Sequence, residues 1–123
     1  MNTRIIGATG IAVRIAIVSI LLLCVVLNVA CKSKDRVIYE VTGDADVADV
    51  VISDEDGVME QYYDVSLPWR REYGVFEQDY VYLYAYNRTE SGTISIAIYV
   101  NDRVFKSATA SGPYQSIVVV GTK

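Results

Sequence analysis

The chain has 123 residues, with 11 Lys and Arg against 15 Asp and Glu, no histidine and two cysteines, for a net charge of −4. Leaving out Arg4 and Arg14, which precede a long apolar run, the remainder has nine basic and 15 acidic residues, a net of −6. That balance excludes nucleic acid as a partner, since phosphate contacts need clustered Lys and Arg. It also leaves no imidazole base anywhere and no thiol beyond Cys31, so an enzyme is not expected and no cofactor is implied.

The first feature along the chain is Ile15 to Cys31, apolar almost throughout, with Lys32, Lys34 and Arg36 just after it. A charged start, an apolar middle and small residues at the end form the grammar of a secretory signal. Asn28-Val29-Ala30-Cys31 resembles a bacterial lipobox, whose cysteine becomes the lipid-bearing first residue of the mature protein. Val29 and Ala30 fit it; Asn28 stands where leucine is usual, and Leu27 sits one place early. Counted back across Arg14 to Ile11, the stretch gives about 20 mostly apolar residues, enough to span a bilayer if Arg14 snorkels. A lipid attached at Cys31, an uncleaved single span and an ordinary cleaved signal are the three alternatives. All place residues 32–123 on the extracytoplasmic side of a cell membrane. Residues 1–31 are read as signal or anchor, 32–36 as a polar tether, and 37–123 as one small domain. Cys24 and Cys31 lie about 10 Å apart along a helix, too far for a disulfide, so the domain must hold together on its core alone.

From Val37 onward β-branched and aromatic residues alternate with polar ones between turn clusters. Val37, Tyr39 and Val41 share one face of a first strand, and Ala48, Val50 and Ile52 one face of a second. The turn Ser53-Asp54-Glu55-Asp56-Gly57 leads to a third strand from Val58 to Leu67, stopped by Pro68. Tyr73 to Phe76 reads as a short strand, and Tyr80 to Asn87 as the clearest of all. Ile94, Ile96, Ile98 and Val100 alternate with Thr93, Ser95, Ala97 and Tyr99, the pattern of a strand buried on one side. Val104-Phe105 and Tyr114 to Val120 complete the set. The expectation is an all-β chain, a small antiparallel β-sandwich, Ig-like in general build, of roughly seven or eight strands.

Several phrases recur in an order similar to the small mycobacterial membrane protein (MmpS) family. They are Tyr39-Glu40-Val41-Thr42-Gly43, the turn ending at Gly57, Leu67-Pro68-Trp69, Leu83 and Ala85 with Asn87, Gly92, Ile98-Tyr99-Val100 and Gly112-Pro113-Tyr114. The resemblance implies an N-terminal membrane segment, a small extracytoplasmic β-sandwich, and partnership with a large RND-type (MmpL-like) transporter of lipids or siderophores. Many members carry a cysteine pair in the domain; the aligned places here are Ile96 and Val119, which are therefore expected to meet in the core. Members more often keep a plain membrane helix where this chain has the lipobox-like end at Cys31.

The resemblance further implies that Val81, Leu83 and Ala85 face inward. Tyr80, Tyr82, Tyr84 and Tyr86 then form a stripe roughly 20 Å long on the outside of one strand, a partner-binding surface. The alternative is that these tyrosines merely pack on strand neighbours. Asp44, Asp46, Asp49, Asp54, Glu55 and Asp56 fall at two turns without the regular spacing of a calcium loop, so they read as solvated turn residues and not as a metal site. Trp69 could present its indole to a ligand, but reads as filling the core or covering the sandwich edge. Asn87-Arg88-Thr89 matches a glycosylation acceptor but reads as turn chemistry. The expected role is a non-catalytic, membrane-anchored accessory to an RND-type transporter. A free-standing ligand- or lipid-binding lipoprotein and a purely structural envelope protein are the alternatives.

Overall fold

Alternation along the strands decides the architecture. The computed structural model describes residues 34–123, and Cys31 with the rest of the segment read as signal or anchor lies outside them. Eight strands form: β1 (Asp35–Gly43), β2 (Val47–Ser53), β3 (Met59–Ser66), β4 (Trp69–Phe76), β5 (Tyr80–Asn87), β6 (Thr93–Val100), β7 (Arg103–Ser111) and β8 (Ser116–Thr122). They pair antiparallel in two sheets, ordered β4-β1-β6-β7 and β3-β2-β5-β8. The all-β sandwich is as expected, and its eight strands fall within the expected number. Its likeness to an immunoglobulin domain lies in the layering.

Three boundaries differ from expectation. Asp35 and Arg36, assigned to the tether, already belong to β1, where Asp35 pairs with Phe76. β4 begins at Trp69 and not at Tyr73, and β7 runs on to Ser111 beyond Val104-Phe105. Both longer strands are sheet edges with a break in register. A bulge interrupts the period-2 pattern by which a strand is recognised.

The inward faces meet in one core. Val37, Tyr39 and Val41 on β1 and the isoleucines of β6 oppose Val50 and Ile52 on β2 and Val81, Leu83 and Ala85 on β5. Each fully buried aliphatic side chain contributes roughly 1.5–3 kcal/mol. Ile96 and Val119 both lie in this cluster, on strands of opposite sheets.

Two polar devices join the layers. Tyr39, wholly buried, donates its hydroxyl across the core to the Ser53 carbonyl at 2.7 Å and lies 3.0 Å from the Ser53 hydroxyl. Ser53 Oγ in turn accepts the Tyr82 amide at 3.0 Å. At one end of the sandwich, Lys123 Nζ reaches the Asp35 carboxylate at 2.9 Å and the Phe76 carbonyl at 3.2 Å. The Lys123 hydrogen bond, with a second from Asn101, holds the Asp35 carboxyl below its ordinary range.

Burial pushes the Tyr39 phenol up to about 12, against about 10 in an unfolded chain. A group raised in the folded state lends stability that is intact below the unfolded value and is lost as pH rises through the folded one. Stability is therefore expected to fall between about pH 10 and pH 12, by up to about 2 kcal/mol from this one group. Tyr39→Phe should flatten that slope while costing about 1–2 kcal/mol at neutral pH through the lost hydrogen bonds. Urea unfolding of both proteins across that pH range checks it; parallel slopes would contradict it.

Candidate functional site

On β5 the residues Val81, Leu83, Ala85 and Asn87 are buried, so the four intervening tyrosines point away from the core. Tyr80 is 47% exposed, and Tyr82, Tyr84 and Tyr86 are half-buried against their neighbours. The Tyr80 and Tyr82 rings stack with centroids 6.5 Å apart. Both readings of the stripe meet here: the tyrosines are on the outside, and they also lean on one another and on flanking strands.

Those flanks widen the stripe into a face. Tyr84 lies opposite Val51 on β2 and Val118 on β8, and Val51 in turn lies opposite Gln61 on β3. Tyr82 lies opposite Val120, and Tyr63 projects from β3 on the same side as Gln61. Tyr63, Val118 and Val120 are 66%, 50% and 44% exposed. At one end of this surface Asp49 pairs with Arg88 at 3.1 Å and Arg88 also reaches Asp64 at 3.3 Å; at the other the Asp54-Glu55-Asp56 turn joins β2 to β3. The valines of β8 were assigned to a strand from sequence but not to this face. Their spacing, with Ser116, Val118, Val120 and Thr122 on one side, was the available signal.

The outer face of the other sheet is chemically different. Thr93 and Ser111 lie 3.1 Å apart through their hydroxyls, and Ser95 and Thr109 2.9 Å. At the other end of this sheet Arg36 bonds Glu72 and reaches Asp102 at 3.0 Å. A shallow depression of about 290 Å³ lies there among Ile38, Glu40, Arg70, Tyr99 and Asp102. It sits outside the sheets, not between them.

The remaining candidates have local duties. Asp54 Oδ1 caps its turn by accepting the amides of Asp56 and Val58, each at 2.9 Å. Asp44 accepts the Thr93 amide, and Asp49 that of Asp64 at 3.0 Å. Asn87 is 1% exposed. Its Nδ2 donates to the Ser91 carbonyl at 3.0 Å and its Oδ1 accepts the Thr89 amide at 2.8 Å. The side chain thus builds the β5–β6 turn, and its nitrogen is not presented to solvent. Trp69 is half-buried, its ring 5.2 Å from that of Tyr62, and it covers the core beside the edge strands β3 and β4. Arg71 lies over the Tyr73 ring at 4.9 Å, and Arg70 reaches Glu72 at 3.5 Å.

Compared with known protein families and with curated proteins, the sequence matches none. The class defined by the fold is an eight-stranded antiparallel β-sandwich. Its two outer faces differ, one aromatic and without charge at its middle, the other hydroxyl-bearing and ion-paired.

Proposed function

We propose that the chain is a membrane-anchored, extracytoplasmic and non-catalytic adaptor that docks through the tyrosine–valine face of β3-β2-β5-β8. The observation that carries this reading is that the middle of that face, Gln61, Val51, Tyr82, Tyr84, Val118 and Val120, holds no charge in a chain of net charge −4. Charged residues are depleted at the centre of protein interfaces, where tyrosine is enriched. A central strand holds the tyrosines on a rigid base, so little side-chain entropy is left to lose on docking. Taken with the resemblance to the small mycobacterial membrane proteins, the partner is an RND-type transporter of lipids or siderophores. Anchoring near Cys31 confines the domain to the membrane plane and raises its effective concentration at such a partner without strong contacts.

The test is capture of the full-length chain from detergent-solubilised native membranes, with mass spectrometry of what accompanies it. An RND-type transporter enriched over an unrelated lipoprotein bait is the expected result. Tyr82→Glu with Tyr84→Glu should reduce that enrichment about ten-fold or more, because an unpaired charge desolvated in an interface costs at least about 2 kcal/mol. Both side chains lie on the outer face, so the fold should survive the change. If the double variant captures as much partner as the native chain, the face is not the docking site. A small ligand in place of a protein would favour the free-standing binding lipoprotein, with the depression beside Arg70 as its site.

A further inference from the structure

We propose that two copies of the chain pair antiparallel through β8, joining their β3-β2-β5-β8 sheets into one continuous sheet across a two-fold axis at Val119. A sheet edge presents unpaired N–H and C=O groups, and soluble domains guard such edges with bulges and charges. The four edge strands here are β4, β7, β3 and β8. Three are guarded. β3 has one more residue than β2 between Ala48 and Val50, with Asp64 at φ 52°, and carries Glu60 and Asp64. β4 has an extra residue against Asp35–Val37 and carries Arg70, Arg71 and Glu72. β7 has an extra residue against Ile98–Tyr99 and carries Arg103 and Lys106.

β8 has neither device in its own residues, although the Lys106 side chain of β7 comes close to Gly121. Its register with β5 runs unbroken from Ser116 to Thr122, and Ser-Ile-Val-Val-Val-Gly-Thr contains no ionisable residue and no proline. The direction of its free groups is fixed by bonds at both ends. Asn87 N donates to the Gln115 carbonyl at 2.9 Å and Lys123 N to the Asp79 carbonyl at 2.8 Å, so the odd-numbered residues of β8 turn their backbone groups toward β5. The even-numbered residues Ser116, Val118, Val120 and Thr122 turn theirs outward, without a strand partner among the described residues.

A second copy of β8 fits this edge chemically. About Val119, Val118 lies opposite Val120 of the other copy and Ser116 opposite Thr122, each pair exchanging two backbone bonds. No charge is placed opposite itself, whereas self-pairing of the other edges would bring in unpaired Arg, Lys or Glu. The interface is isologous, as two-fold dimers require. It also places the Val118 and Val120 side chains of both copies on one side of the joined sheet.

The full-length chain in detergent, studied by sedimentation, is expected to run at twice its mass. Val118→Pro removes an N–H that points outward and serves no bond to β5, a position where an edge strand tolerates proline. It should run at the single-chain mass with its far-ultraviolet circular dichroism kept. Independently, Ser116→Cys with Thr122→Cys should be joined by a short thiol cross-linker. Those two positions lie about 20 Å apart in one chain, so a mapped 116-to-122 link must join two chains. A native chain that sediments alone, a folded Val118→Pro variant that stays paired, or links in another register would each overturn the proposal. So would a link from position 116 to a foreign peptide. If Val118→Pro does not fold, the cross-link decides.

Discussion

Alanine at Gly43 is expected to cost the domain about 4 kcal/mol. Gly43 closes β1 at φ 134°, a conformation L side chains rarely adopt. A Cβ built there would lie 1.9 Å from the Thr93 carbonyl oxygen. Neither partner can give way cheaply. The Thr93 carbonyl accepts the Ala45 amide at 3.4 Å, and Gly43 is paired with Ile94 of β6. Relief must separate β1 from β6 in the middle of a sheet. Gly57 separates backbone strain from this clash. It has a positive φ too, at 80°, but an added Cβ would meet only the flexible Gln78 side chain, at 3.6 Å. Gly57→Ala should therefore cost only about 1 kcal/mol. Urea midpoints of the two variants check the contrast; equal losses would mean that φ alone matters at Gly43.

Phe76→Ala should cost a similar amount, about 4 kcal/mol. The ring is wholly buried at the end of β4 and meets Tyr39 and Tyr73 edge-on, with centroids 6.3 Å and 5.4 Å away. Lys123 Nζ lies 5.6 Å from its centroid. Removing the ring leaves a cavity beside two aromatics and takes away the apolar floor beneath the Lys123–Asp35 pair. A domain of about 90 residues has roughly 5–13 kcal/mol in all, so this one loss takes a third or more of it. Phe76→Leu, which keeps most of the volume, should cost about 1.5 kcal/mol. Thermal unfolding of both checks the order; a loss under about 2 kcal/mol for Phe76→Ala would show that the site collapses to fill its own cavity.

The layering was readable in the sequence because β5 and β6 alternate buried and less buried residues, and β1 and β2 do so but for Ile38 and Ser53. Those are the inner strands of the two sheets, where a one-residue slip would turn the whole apolar set to solvent. The edge strands were less readable. β4 contains Arg70-Arg71-Glu72 and a bulge, and the alternation in β7 falls on Ala108 and Ala110, too small to stand out. The tyrosine stripe was visible as a pattern, but its extension through Val51 and Val118 depends on strand order, and β8 joins β5 across the 28 intervening residues 88–115. Strand order likewise hides Lys123 meeting Asp35 and the Tyr39 hydroxyl reaching Ser53. Cross-sheet bonds of this kind leave no local signal, because either residue alone is ordinary for a strand.

A photo-crosslinking amino acid at Tyr84, compared with one at Thr109 on the outer face of the other sheet, tests the docking face in intact cells expressing the full-length chain. Adducts with a large membrane protein from position 84, and none from position 109, are the predicted result. Equal adducts from both positions, or adducts from position 109 alone, would contradict the assignment of the tyrosine–valine face as the docking surface.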